Sequence, residues 1–262
     1  MIKIKQLSST GLILLLVTTG LAQTGPAGDL AAEFNQPWKD LSTALVIDPF
    51  QGNEIVWDQL ATEPRLAGII HRATIGDRID TRYAERKEEA KRRGFKWGSY
   101  HLGRPGDPIK QADFYLETVK PGPDEVLALD IESLDAAKDM TLAAARRFIK
   151  RIKKKTGRYP LVYANHAVTK QISKKFGRDK VFSKTHLWYA RFKSQVTDFP
   201  TRTWPTYTLW QFSSEINCTP TAAGQPADPN RCLFRVPGTR TDMDVNVYHG
   251  TVAELRANWP FR

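Results

Sequence analysis

The chain has 262 residues, 41% of them hydrophobic and 26% charged, and 39 Lys and Arg outnumber 28 Asp and Glu for a formal net charge of +11. Such a surplus favours polyanionic partners (nucleic acid, anionic lipid or an acidic wall polymer), and no nucleic-acid motif or aromatic interleaving supports the first of these. The length suits one α/β barrel or two small domains, and no low-complexity linker or internal repeat divides it.

The opening "MIKIKQLSSTGLILLLVTTGLAQ" places Lys3 and Lys5 before an apolar run from Gly11 to Val17 and a small-residue end at Gly20-Leu21-Ala22. That is the pattern of a secretory signal cut before Gln23, and its core is shorter than the roughly 20 residues that span a bilayer. Residues 1–22 are therefore expected to be removed, leaving 37 basic against 28 acidic residues, a surplus of +9. A secreted or periplasmic product with no stable membrane insertion follows. Residues 23–40, which include "TGPAGD", read as a tether, and residues 41–262 as the folded body.

Short apolar runs then alternate with helical patterns, the signature of repeated βα units. "TALVID" (43–48) and "AGIIHRAT" (67–74) read as strands. The charged stretch from Asp80 to Gly94 reads as a helix with Asp80 as its N-cap and Gly94 as its stop. "FKWGSYHL" (95–102) and "EVLALDIE" (125–132) are the next strands. Leading into and through "RRFIKRIKKK" (146–155), Leu142, Ala145, Ile149 and Ile152 recur at helical spacing, giving an amphipathic helix with a basic outer face that ends before Gly157. "YPLVYA" (159–164) is a fifth strand. After Asn165, "HLWYARF", "YTLWQFSS" and "DMDVNVY" read as three strands with little helix between them. Five βα units followed by three strands point to a flattened (β/α)5β3 barrel, TIM-like and single-domain.

The chemistry lies at the ends of these strands. In "VLALDIES" alternation puts Ala128, Asp130 and Glu132 on one face and Leu127, Leu129 and Ile131 on the other. If the second set meets the helices, both acids point inward at the C-terminal mouth, where barrel enzymes assemble their sites. Burial and like charge raise such carboxyl pKa values, so one can be protonated beside an ionised neighbour, the division of labour used in glycoside cleavage. Solvated acids, a helix cap or a metal site explain the same two residues. Other strand ends add Asp48, Asp242, Asp244 and Asn246, with Tyr100, His101 and Tyr163. Acids, aromatics and amides converging on one pocket suit a carbohydrate.

These motifs, in this order, make the chain similar to glycoside hydrolase family 25, the Ch-type lysozymes. "VIDPFQG" with "IVWDQL", "IIHRATIGDRIDTRY", "GFKWGSYHL", "LALDIE", "YPLVYAN", "LWYARF", "LWQFSS" and "MDVNVY" each resemble a family signature, with Leu102 standing where an aromatic is frequent. The resemblance implies an N-acetylmuramidase that hydrolyses the β-1,4 bond between N-acetylmuramic acid and N-acetylglucosamine in peptidoglycan. It implies Glu132 as general acid and Asp130 as its partner, stabilising charge or holding the substrate's N-acetyl group as nucleophile. It further implies Asp48 and Asp244 as supporting acids, and no metal or organic cofactor. Tyr100, Tyr163, Trp188, Gln211 and Asn246 are expected substrate-binding residues of the groove. Peptidoglycan strands are the expected partner of a monomer. The rival readings are a non-catalytic glycan-binding barrel and a hydrolase of another N-acetylated polymer such as chitin.

The main departure from the family is the segment between Ser214 and Thr241. In an exported protein its two cysteines, Cys218 and Cys232, are expected to form a disulfide. "Asn217-Cys218-Thr219" is formally a glycosylation sequon. The segment follows a strand end and is expected near the catalytic mouth, as a stapled flap that lengthens one groove wall or as a neutral loop.

Overall fold

The computed structural model describes residues 30–218, 228 and 230–261. The expected signal sequence and most of the cysteine-closed loop lie outside these residues. A short helix α1 (Leu30–Glu33) precedes β1 (Thr43–Ile47), α2 (Trp57–Leu60) and β2 (Leu66–Ile75). Then come β3 (Arg78–Ile79), α3 (Tyr83–Arg92), β4 (Lys96–Leu102), α4 (Pro108–Val119), β5 (Val126–Ile131) and α5 (Leu142–Thr156). The chain continues through β6 (Leu161–Asn165), α6 (His166–Lys175), β7 (Leu187–Ala190), β8 (Leu209–Ser213), α7 (Glu215–Cys218), β9 (Val245–Thr251) and α8 (Val252–Asn258).

Eight strands close a barrel in the order β1-β2-β4-β5-β6-β7-β8-β9, with β3 only an antiparallel extension of β2. Neighbours from β1 through β8 are parallel, whereas β9 runs antiparallel to both β8 and β1. This agrees with five βα units and three closing strands. The strands are apolar on both faces because each meets a core on each side. Along β5, Leu127, Leu129 and Ile131 pack outward with Phe148, Ile149 and Ile152 of α5, while Val126 and Ala128 face into the barrel. Small residues inside (Ala44, Ala67, Ala128) leave room for Trp188 and Tyr248. Trp259 and Phe261, beyond α8, plug the end opposite the strand C-termini. The Trp259 indole N–H donates to the Trp97 carbonyl at 3.0 Å, and a Cβ at Gly68 would sit 3.0 Å from that ring.

Gly157, at φ 74°, ends α5 as expected, and Thr141 caps its start through its hydroxyl. Two sequence expectations need correction. The expected tether overlaps the folded body: Phe34 is fully buried against Tyr189, Phe199, Tyr207 and Trp210, and Trp38 stacks on Phe212 at 3.9 Å. Two large aromatics so close to a charged segment are a core contribution, and the barrel requires them to cover β7 and β8. Asp80 is not the cap of α3, which starts three residues later. Its carboxylate instead accepts the N–H groups of Gln51 and Arg82, fastening the loop after β1 to the β2–β3 hairpin.

Candidate active site

Asp48 follows β1, Asp130 ends the inward face of β5, Glu132 lies one residue beyond it, and Asp244 precedes β9. Because β9 is antiparallel, the residue before its start lies at the same barrel end as the residues after β1 and β5. The Asp48 N–H donates to the Asp244 carbonyl at 3.3 Å, which joins the first and last strands at that mouth. Asp130 is 5% exposed, and its buried Oδ1 has no hydrogen-bond partner among the described residues. An unpartnered buried carboxylate oxygen is costly unless protonated or offered a donor by a ligand.

All four carboxyls are held above their ordinary range. Burial is the leading cause for each. For Asp130 the charges of Glu132, Asp139 and Asp48 add to it, and for Asp244 those of Asp48, Glu215 and Glu132. Asp48 is raised to about 8 by burial, against the hydrogen bonds from Asn246 and Gln211. Glu132 stands open to the cleft at its lip, yet the protein around it raises its carboxyl, Asp139 adds to that rise, and Arg104 and Arg72 oppose it. The site therefore retains protons near neutral pH, and Glu132 is the acid that solvent and a ligand reach most easily.

Beneath the acids lies a layer whose donors and acceptors can be assigned from chemistry alone. Trp188 Nε1 only donates, and it donates to Asn246 Oδ1 at 2.5 Å. Asn246 Nδ2 must then face the Val46 carbonyl at 3.0 Å and Asp48 Oδ1 at 2.5 Å. A proton on Asp48 therefore sits on Oδ2, which faces Gln211 Nε2 at 2.9 Å. Tyr163 Oη donates to Gln211 Oε1 at 2.7 Å, and this amide is the one member that can turn over when Asp48 gains its proton. The rings of Tyr100 and Tyr163 stand edge-on to Trp188 with centroids 5.9 and 5.1 Å away.

This layer corrects part of the expected groove. Trp188 is 1% exposed, Gln211 2% and Asn246 fully buried, so they support the acids from below rather than line a sugar-binding wall. The reason is their inward position in a narrow barrel, where Trp188 fills the interior. Tyr163 remains partly exposed and Tyr100 nearly buried. His101, its neighbour in sequence, points outward onto Phe148, where burial lowers it to about 4 and keeps it neutral.

Several residues at the site were not signalled by the sequence. Asp139, 1% exposed, accepts the N–H groups of Glu132 at 2.9 Å, Ser133 at 3.0 Å and Met140 at 2.7 Å, fixing the turn that presents Glu132. Asn165 caps α6 with Oδ1 and donates Nδ2 to the Glu132 carbonyl at 2.6 Å. Arg86, 1% exposed, donates to the carbonyls of Phe50 (2.8 Å) and Asn53 (2.5 Å) and to His71 Nε2 (3.1 Å), holding the loop after Asp48. An Asp before a helix start was the one readable hint, for Asp139. Nothing in the local pattern of α3 distinguishes Arg86 from its exposed neighbours.

Cys218 and Cys232 are disulfide-bonded. The Asn217 side chain is spent within this joint, donating to the carbonyls of Phe212 at 3.1 Å and Asn230 at 2.7 Å. It is 8% exposed, so the sequon at this position is occupied by structure rather than offered for glycosylation.

Residues 47–220 match the sequence profile of Glycosyl hydrolases family 25. The chain belongs to this family. It is a glycoside hydrolase of the lysozyme type. Among solved structures, the bacterial lysozyme from Streptomyces coelicolor is 23% identical with a TM-score of 0.66, over 83% of this chain and 97% of that one. The family GH25 lysozyme from Aspergillus fumigatus is 21% identical with a TM-score of 0.63, over 82% and 98%. The muramidase from Trichobolus zukalii is 20% identical with a TM-score of 0.63, over 82% and 97%. No curated protein matches the chain.

Proposed function

We propose that this family 25 hydrolase is an exported N-acetylmuramidase cutting the β-1,4 bond between N-acetylmuramic acid and N-acetylglucosamine in peptidoglycan. The supporting observation is the orphaned Oδ1 of Asp130 beside the open carboxyl of Glu132, which its surroundings hold above the ordinary range. A sugar bearing an N-acetyl group supplies the missing donor, because its amide N–H can reach Oδ1 while its carbonyl oxygen turns toward the anomeric carbon. That hydrogen bond favours the ionised form of Asp130. Glu132 then gives its proton to the bridging oxygen as the C–O bond breaks and the acetamido oxygen bonds to the anomeric carbon. Water attacks the same carbon, opens the resulting ring and returns a proton to Glu132, so the acid is regenerated. Asp48 and Asp244 tune the pair, and Tyr100 and Tyr163 flank the sugar. The flap anchored at Cys218 follows β8 and places Glu215 within the field of Asp244, consistent with a wall of the same mouth.

Glu132→Gln tests the assignment. It keeps the shape and removes the transferable proton, so release of reducing ends from purified peptidoglycan should fall about 10²–10⁴-fold, while binding persists. Equal activity in the two proteins would remove Glu132 as the acid. Mass spectrometry of the products should show muramic acid at the new reducing end. Chitin cleaved as fast as peptidoglycan would favour the broader N-acetylglycan hydrolase.

A further inference from the structure

The catalytic mouth is lined chiefly by carboxyls, most of them buried, and offers little attraction to a wall polymer rich in carboxylates. The attraction has to come from elsewhere on a chain with a sequence pI of about 9.6. At the opposite end of the barrel lies a cavity of about 980 Å³ between the end of α4, the end of α5 and the entries to β6 and β7. A second cavity of about 440 Å³ abuts it, and the two share His186 and Phe261. Together they form a groove across the base.

Lys153, Lys155, Lys184 and Arg158 give this groove its charge, Arg158 also donating to the carbonyls of Gly122, Pro123 and Glu125. Lys153 donates to the Gly157 carbonyl and lies 5.0 Å over the Tyr159 ring, both neutral partners. Lys155 and Lys184 line the same cavity, and among the described residues neither makes an ion pair. Of the two acids on the lining, Asp113 is already held by Arg151 Nε and Nη2, each at 2.7 Å, which leaves Glu117 as the remaining negative group. Tyr159 and Phe261 add apolar surface, and the second cavity adds the hydroxyl residues Thr206 and Thr208. Thr206 Oγ1 is buried there without a partner among the described residues. Cationic heads, aromatic faces and hydroxyls along an elongated groove suit a sugar chain bearing anions.

We infer that this basal groove is a second, non-catalytic site that holds an anionic glycan strand of the cell wall while the mouth works on another. The inference rests on the proposed wall substrate but concerns residues remote from the chemistry. A site of this kind keeps the enzyme on an insoluble mesh between cuts without touching the rate of the cut itself.

The test uses the full chain carrying Glu132→Gln, with and without Lys155→Glu and Lys184→Glu, in pull-downs on insoluble peptidoglycan. Reversing two exposed charges should weaken retention roughly tenfold at about 0.05 M salt and much less at about 0.5 M. Retention on neutral chitin should not change. In the otherwise native chain, the same two reversals should leave cleavage of a short soluble glycan at the parental rate. The idea is overturned if retention on peptidoglycan is unchanged, if chitin retention falls equally, or if soluble cleavage and retention fall together. The neutral pair Lys155→Gln and Lys184→Gln should give a smaller loss in the same order. Intact walls compared with walls stripped of phosphate polymers show whether phosphates or muramyl and peptide carboxylates supply the anion. If the parental chain cut nothing, the hydrolase reading would fail while the retention assay still reported on the groove.

Discussion

Asp48→Asn isolates the electrostatic strain of the site from its chemistry. Asparagine keeps the size and leaves every neighbour satisfied: its oxygen accepts from Asn246 Nδ2, and its amide N–H₂ faces Gln211, which turns its amide to accept. Gln211 Nε2 then donates to Tyr163, so the network reverses direction without losing a bond. In the native protein, folding raises Asp48 from the ordinary aspartate range of about 4 to about 8. A raised carboxyl favours folding through its protonated form. Its contribution is therefore full below about pH 4 and is lost as pH rises toward and through about 8. Each pH unit between those limits is worth about 1.4 kcal/mol, so a ceiling of roughly 5 kcal/mol applies to an isolated group. Asp130 and Asp244 share the same repulsion and compete for protons, which brings the expected effect of one substitution down. The stability of Asp48→Asn relative to the parent should grow by roughly 2–4 kcal/mol between pH 5 and pH 8, read from urea unfolding at several pH values. A gap that stays constant within about 0.5 kcal/mol across that range would mean Asp48 is ionised throughout and its burial carries no penalty.

Three other substitutions test the supporting structure. Trp188→Phe removes the donor that orients Asn246 and leaves a buried amide oxygen unsatisfied, so it should cost about 1–3 kcal/mol by chemical denaturation. Arg86→Met strips donors from two carbonyls and His71 beneath the Asp48 loop; stability should fall by roughly 3 kcal/mol and glycan cleavage by at least about tenfold. Replacing Cys218 and Cys232 together with serine reopens a loop of 14 residues' separation and should cost about 3 kcal/mol, with a matching drop in melting temperature when the parent is reduced.

The sequence alone determined the architecture and placed the four acids at strand ends. Short continuous apolar runs, separated by helical stretches, announce repeated βα units because both faces of each strand are buried. "LALDIE" carries its own geometry, because alternation forces Asp130 to one face of β5 whatever surrounds it. Local pattern also specified α5, where a basic amphipathic face and a terminal glycine agree. What only the tertiary structure decided was depth and partnership. Trp188, Gln211 and Asn246 carry polar groups at strand positions that a groove would equally use, and barrel closure alone buries them under the acids. The orientation of β9 brings Asp244 beside Asp48, since one reversed strand moves its first residue to the mouth. Phe34 and Trp38 became core, and Arg86 became the brace of the Asp48 loop, because contacts across long sequence separations supply their partners. Burial and pairing are properties of the closed sheet, and a one-dimensional pattern holds them only where the neighbours in space are also neighbours in the chain.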